Sequence, residues 1–109
     1  MPILTSEAAL EALADPTRRA IVARLRQRPL PVGVIARDLP VSRPAVSSHL
    51  RILSDAGLVT HRSVGTRNLY ALRPEGFANL RGWLDSLWGD ALTAFAAYVD
   101  RNEEGDQTP

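Results

Sequence analysis

The chain has 109 residues, 45% hydrophobic and 23% charged: enough for one packed core, too few for two, and ordinary for a folded domain. It has no cysteine, which excludes disulfides, thiolate metal cages and thiol chemistry, and no apolar run nears the roughly 18 residues of a membrane span. The net charge of +1 hides a segregation of sign: residues 1–15 carry −3, residues 16–73 carry +9 and residues 74–109 carry −5, and all 13 basic residues are arginine. A GC-rich genome explains arginine over lysine but not this segregation; a basic middle between acidic ends points to a polyanion partner for the middle and another task for the ends. The start, MPILTSEAAL, lacks a basic stretch before an apolar one, so no secretion signal is expected and the cytoplasm is the expected location.

The first helix is expected over about Thr5 to Ala14, with Ala9, Leu10 and Leu13 on one side. Asp15-Pro16 starts a second, since aspartate caps exposed amides and proline suits the first helical position; Ile21, Val22 and Leu25 follow at helical spacing, with a stop near Arg28-Pro29. A short third helix spans about Val32 to Asp38. Ser42 caps the fourth, Pro44 lies in its first turn, and Gly57 follows its end near Ala56. The β-branched stretch after Gly57 and the run Arg67–Leu72 predict a hairpin over residues 59–72 that turns near Gly65. Pro74 opens a long last helix ending near Asp100, and the polar residues 101–109 are expected to form a disordered tail.

Residues 34–50, VIARDLPVSRPAVSSHL, fit a helix-turn-helix. At 100° per residue Val46, His49, Leu50 and Leu53 share one side of the fourth helix; Pro44, Ser47, Ser48, Arg51 and Asp55 share the other, with Ser42 and Arg43 at its N-terminal edge. The outward face is short, polar and cationic. Small serines permit close approach to a groove, and arginine pairs bidentately with guanine. Alone this face is equally an ordinary solvated surface. The hairpin tips the balance, because Arg62 and Arg67 flank the Gly65 turn, where a wing lays them on phosphates or in the minor groove.

Leu13-Ala14-Asp15-Pro16-Thr17-Arg18-Arg19, SRPAVSSHLRILSDAGLV and RSVGTRNLYAL together resemble the ArsR/SmtB family of winged-helix repressors over roughly residues 7 to 98. The resemblance implies a mainly α fold with a small β-hairpin in the order ααααββα, a winged helix-turn-helix that dimerises through its first and last helices. It implies a homodimeric repressor binding an inverted-repeat operator in double-stranded DNA, with residues 1–100 forming one DNA-binding and dimerisation domain.

The last helix agrees. Phe77, Leu80, Leu84, Leu87, Ala91, Ala94 and Tyr98 recur at alternating spacings of three and four, a seam for another helix, and Leu10 joins them from the first helix. Trp83, Trp88, Leu92, Phe95 and Val99 make a second apolar side. The best-known relatives sense metals through cysteines or through histidines and acids on the last helix; this chain has no cysteine, and neither His49 nor His61 lies on its last helix, so no metal site and no cofactor are expected. Arg18 is expected in a structural ion pair, with Arg19 and Arg26 solvated. Two alternatives remain: a small-molecule sensor with Trp83, Trp88 and Tyr98 around an interface pocket, and a winged-helix scaffold whose basic face meets an acidic protein. An enzyme is the weakest reading, since helical geometry puts His49 and Ser47 on different faces.

Overall fold

The computed structural model describes residues 5–106. Three helices and a minimal strand come first: α1 (Ser6–Leu13), α2 (Pro16–Leu25), β1 (Leu30–Pro31) and α3 (Val32–Arg37). They are followed by α4 (Arg43–Asp55), the hairpin β2 (Val59–Val64) and β3 (Arg67–Leu72), and α5 (Pro74–Asp106). The winged helix-turn-helix order is as expected, with one addition. β1 pairs with β3, Leu30 opposite Tyr70 and Pro31 opposite Leu69, so the wing is a three-stranded antiparallel sheet in the order β1-β3-β2. A two-residue strand has no alternation to read, and Pro31 is tolerated because the strand is an edge.

The helix starts follow local chemistry. Thr5, Asp15 and Ser42 each accept a hydrogen bond from the amide three residues on, capping α1, α2 and α4. At the other end of α1, Arg19 donates to the carbonyls of Leu13 and Ala14 at 2.8 and 2.9 Å, and Arg18 to that of Ala12 at 2.6 Å. Arg18 departs from the sequence expectation, forming main-chain hydrogen bonds instead of an ion pair, while Arg19 is exposed as expected and also donates to the end of α1. Carbonyls at a helix end lack intrahelical partners, and the tight Ala14-Asp15 turn brings both guanidiniums within reach. α2 ends at Leu25, short of Arg28, as the Gln27 amide turns to the Arg24 carbonyl.

The amide of Arg18, donating to the Asp15 carboxylate, holds that group below the usual carboxylate range, helped by the charge of the Arg18 guanidinium. A folded-state value depressed below the unfolded one makes a stabilising contribution that is present above the ordinary aspartate range and lost as the pH falls through the folded value. Melting curves against pH should therefore fall more steeply for the wild type than for Asp15→Asn below about pH 4, since asparagine keeps the cap and removes the titration. Parallel curves would show that the cap is not linked to protonation.

Ile21, Ile35, Val46, Leu50, Leu53 and Leu58 are fully buried, and Ala9, Ala12, Leu25, Leu30, Val59 and Leu80 close the core around them. α5 reaches this core only at its start, through Leu80 and the half-buried Phe77. From Arg81 to Tyr98 every residue is exposed. The chain therefore measures 77 × 30 × 22 Å with a radius of gyration of 20.1 Å, against about 13 Å for a compact domain of this size. The helix also continues beyond the expected Asp100 end to Asp106: residues 101–106 are helical, with the Asn102 side chain donating to the Tyr98 carbonyl, and no proline stops them. Residues 107–109 of the expected tail lie outside the described residues.

Candidate nucleic-acid interface

α4 presents two unlike faces. Val46, Leu50 and Leu53 seat it in the core, and they space its other residues at fixed angles above the surface. Ser42, Arg43, Pro44, Ser47, Ser48 and Arg51 are all exposed on the outward side, and so is Asp55. Ile52, 42% exposed, is an apolar residue at its edge that the pattern did not single out. His49 lies between the faces, its Nδ1 3.3 Å from the Arg18 guanidinium, and so ties the recognition helix to the start of α2.

α4 meets α3 across the turn at residues 38–42. The Arg24–Asp38 ion pair at 2.6 Å links the end of α3 to α2 at the surface. The wing packs against both α3 and α4. Gly65, at φ 63°, is the first residue of the two-residue loop between Val64 and Arg67, where a type II′ hairpin turn favours glycine. Ser63 donates to the Asn68 side chain at 3.0 Å across the strands, and His61 lies against Tyr70 with ring centres 5.2 Å apart.

Arg62 and Arg67 are both exposed on the hairpin, but they serve different neighbourhoods. Arg62 lines a shallow pocket with Pro29, Thr60, Leu69 and Ala71. Arg67 turns toward the helix-turn-helix and shares a cleft with Arg43 and Arg37. Arg37, at the end of α3, is a residue that sequence reasoning missed: as one solvated arginine on a short helix it carries no local signal, and only the folding of the wing brings it beside Arg67. Among the described residues the ion pairs are Arg24–Asp38, Arg73–Glu75 and Arg81–Asp85; Arg37, Arg43, Arg51, Arg62 and Arg67 take no part in them. Their charge is thus free for an external anion.

The expected dimer seam divides in two. Leu80, 8% exposed, and the half-buried Phe77 pack within this chain, because α5 must anchor to its own core before it leaves it. Leu10 at 39%, Leu84 at 44%, Leu87 at 52% and Tyr98 at 59% are exposed, as are Ala91 and Ala94. At 100° per residue these α5 positions and Trp83, Trp88, Leu92 and Phe95 fill one continuous arc of about half the helix circumference, so the two apolar sides are one face.

A family model described as a helix-turn-helix domain matches residues 13–62. The chain is 58% identical over 100 residues to the HTH-type transcriptional regulator Rv2034 of Mycobacterium tuberculosis, covering 92% of each chain. Among solved structures it resembles a possible transcriptional regulator for arsenical resistance, at 45% identity and a TM-score of 0.69, covering 82% of this chain and 93% of that one. It also resembles the homodimeric winged helix-turn-helix DNA-binding domain Mb0332 of Mycobacterium bovis, a possible ArsR-family regulator, at 28% identity and a TM-score of 0.63, covering 77% of this chain and 78% of that one.

Proposed function

Because this chain belongs to the ArsR/SmtB family of winged helix-turn-helix transcriptional regulators, we propose that two copies join through α1 and α5 and repress transcription by binding an inverted-repeat operator. The two α4 helices enter successive major grooves about 34 Å apart, and the wings lie on the backbone or in the adjacent minor groove. One observation carries this reading. The side of α4 turned away from the core bears Ser47, Ser48 and Arg51, all exposed and none with an ion-pair partner, at a spacing that meets base edges.

Ser42, Arg43, Ser47 and Ser48 then hold phosphates or bases, Pro44 fixes the helix start between them, and Arg51 reads guanine. Arg62 and Arg67 contact the backbone from the wing. The protein works as a regulator and not as an enzyme, which fits His49 being engaged by Arg18 on a different face from Ser47. The reading places it in the cytoplasm, with the chromosome.

Footprinting on the protein's own upstream DNA tests contact, symmetry and target together: a protected inverted repeat is expected, and no protection would refute the reading. Within that site Arg51→Ala should weaken binding by about 1–3 kcal/mol and relax preference at one base pair of each half-site. Unchanged affinity and preference in a gel shift would show that the reading face is misassigned.

A ligand sensor is a second reading with one observation behind it. Trp83 and Trp88 are 42% and 65% exposed, and Trp88 lines an open, mostly apolar groove on α5 with Leu84, Asp85, Leu87 and Ala91. Tryptophan fluorescence titrated with small metabolites tests it, a saturable change being its signature.

A further inference from the structure

The wing, α3 and the start of α4 enclose a cleft whose charge is all of one sign. Pro31, Gly33, Val34, Arg37, Arg43 and Arg67 line one part of it; Thr66, Asn68 and Tyr70 extend it along β3. No carboxylate is among these residues. Arg43 does not extend along the α4 face toward Ser47. Its guanidinium lies over α3, so close that a Cβ built on Gly33 would stand 3.7 Å from two of its atoms.

We propose that Arg37, Arg43 and Arg67 form one clamp for a DNA backbone phosphate, with Arg43 gripping the strand instead of reading a base. The proposal rests on the DNA-binding reading above and adds to it a residue, Arg37, and a division of labour: the α3–wing cleft positions the duplex, and Arg51 reads it. Three guanidiniums facing one cleft without a carboxylate repel one another, and an anion placed among them converts that repulsion into attraction. The planar guanidinium fork suits phosphate oxygens, and the Thr66 hydroxyl adds a neutral donor at the same rim. A phosphodiester fits this position better than a base edge does, because the cleft is bounded by three separate elements and lies beside, not along, the exposed face of α4. Arg43 sits one helical turn before Ser47, so a strand held here continues past the reading face.

The test uses the full chain and Arg37→Gln, which keeps the side chain's length and removes its charge; Arg37 is exposed, so thermal melts should coincide with those of the wild type. Affinity is measured by fluorescence anisotropy on the footprinted operator and on a random duplex of equal length, across a range of salt. Arg37→Gln should weaken both duplexes by about the same factor, roughly tenfold, and reduce the salt slope by about two, one for each subunit of the dimer. Replacing one phosphate in each half-site by an uncharged methylphosphonate should reveal one symmetric pair of positions that weakens the wild type more than it weakens Arg37→Gln, whose clamp keeps Arg43 and Arg67.

A loss confined to the operator would make Arg37 a base reader and overturn the clamp; so would unchanged affinity and slope. Titration with inorganic phosphate, followed by the arginine Nε–H signals, should give only weak, unsaturated shifts. Tight saturation without DNA would make the occupant a free anion and overturn the backbone assignment. Binding of Arg37-dependent acidic peptide with no change in DNA affinity would overturn it in favour of a protein partner. If Arg51→Ala relaxes specificity while Arg37→Gln does nothing, the clamp alone fails; if neither matters, the DNA-binding face itself is wrong.

Discussion

Leu87→Glu on α5 should separate the protein into monomers, halving the light-scattering mass from twice 11.9 kDa, and should lower operator affinity by about a hundredfold or more. In a single chain this substitution exchanges one exposed side chain for another, since Leu87 is 52% exposed and outside the core, so the fold itself should change by about 0.5 kcal/mol or less. In a symmetric dimer each copy places the carboxylate against its partner's apolar arc, so the penalty is paid at two equivalent positions. Moving a carboxylate from water to such a surface without a cation costs several kcal/mol per group. DNA affinity follows because two half-sites bound by a linked pair hold far more tightly than two independent subunits.

Leu80→Glu makes the contrast. It lies on the same arc of α5, yet is 8% exposed and belongs to the chain's own core, so it should lower the melting temperature whatever the oligomeric state. A wild type that is already monomeric, or a Leu87→Glu variant that stays dimeric, would refute the assignment of the exposed arc to a second copy.

Gly76→Ala should destabilise the protein by about 2 kcal/mol or more, although alanine is the better helix former by about 1 kcal/mol. A Cβ at this position would overlap the Gly57 carbonyl oxygen and stand 2.8 Å from its carbonyl carbon and 3.4 Å from the Leu58 Cα. That backbone has little freedom to give way. Gly57 ends α4 at φ 77°, its amide donates to Ser54 at 3.0 Å, and the Leu58 amide donates to Leu53 at 3.0 Å. The Leu58 carbonyl in turn accepts from the Arg73 amide at 2.8 Å, which pins the first turn of α5 against it. The whole of α5 must therefore shift outward, loosening Phe77 and Leu80 and re-aiming the helix that carries the exposed arc. The loss should appear as a melting temperature lower by roughly 10 °C for a domain of this size, and an unchanged or raised value would show that the two backbones can part.

Much of this was legible along the chain. The caps at Thr5, Asp15 and Ser42, the glycines at 57 and 65, and the two faces of α4 are all set by residues within four positions of one another, where helix and turn geometry is local. So the sequence by itself determined the main helices, the hairpin and the polar, cationic face of the recognition helix. Tertiary structure alone decided the pairing of Leu30-Pro31 with β3, the capping of α1 by Arg19, and the approach of Gly76 to Gly57. It also decided which part of the α5 stripe packs at home and which part is left bare, and it brought Arg37, Arg43 and Arg67 to one cleft. Each of these joins groups across a turn or between elements. Periodicity says which way a side chain points from its own axis; only the packing of one axis against another says what it meets.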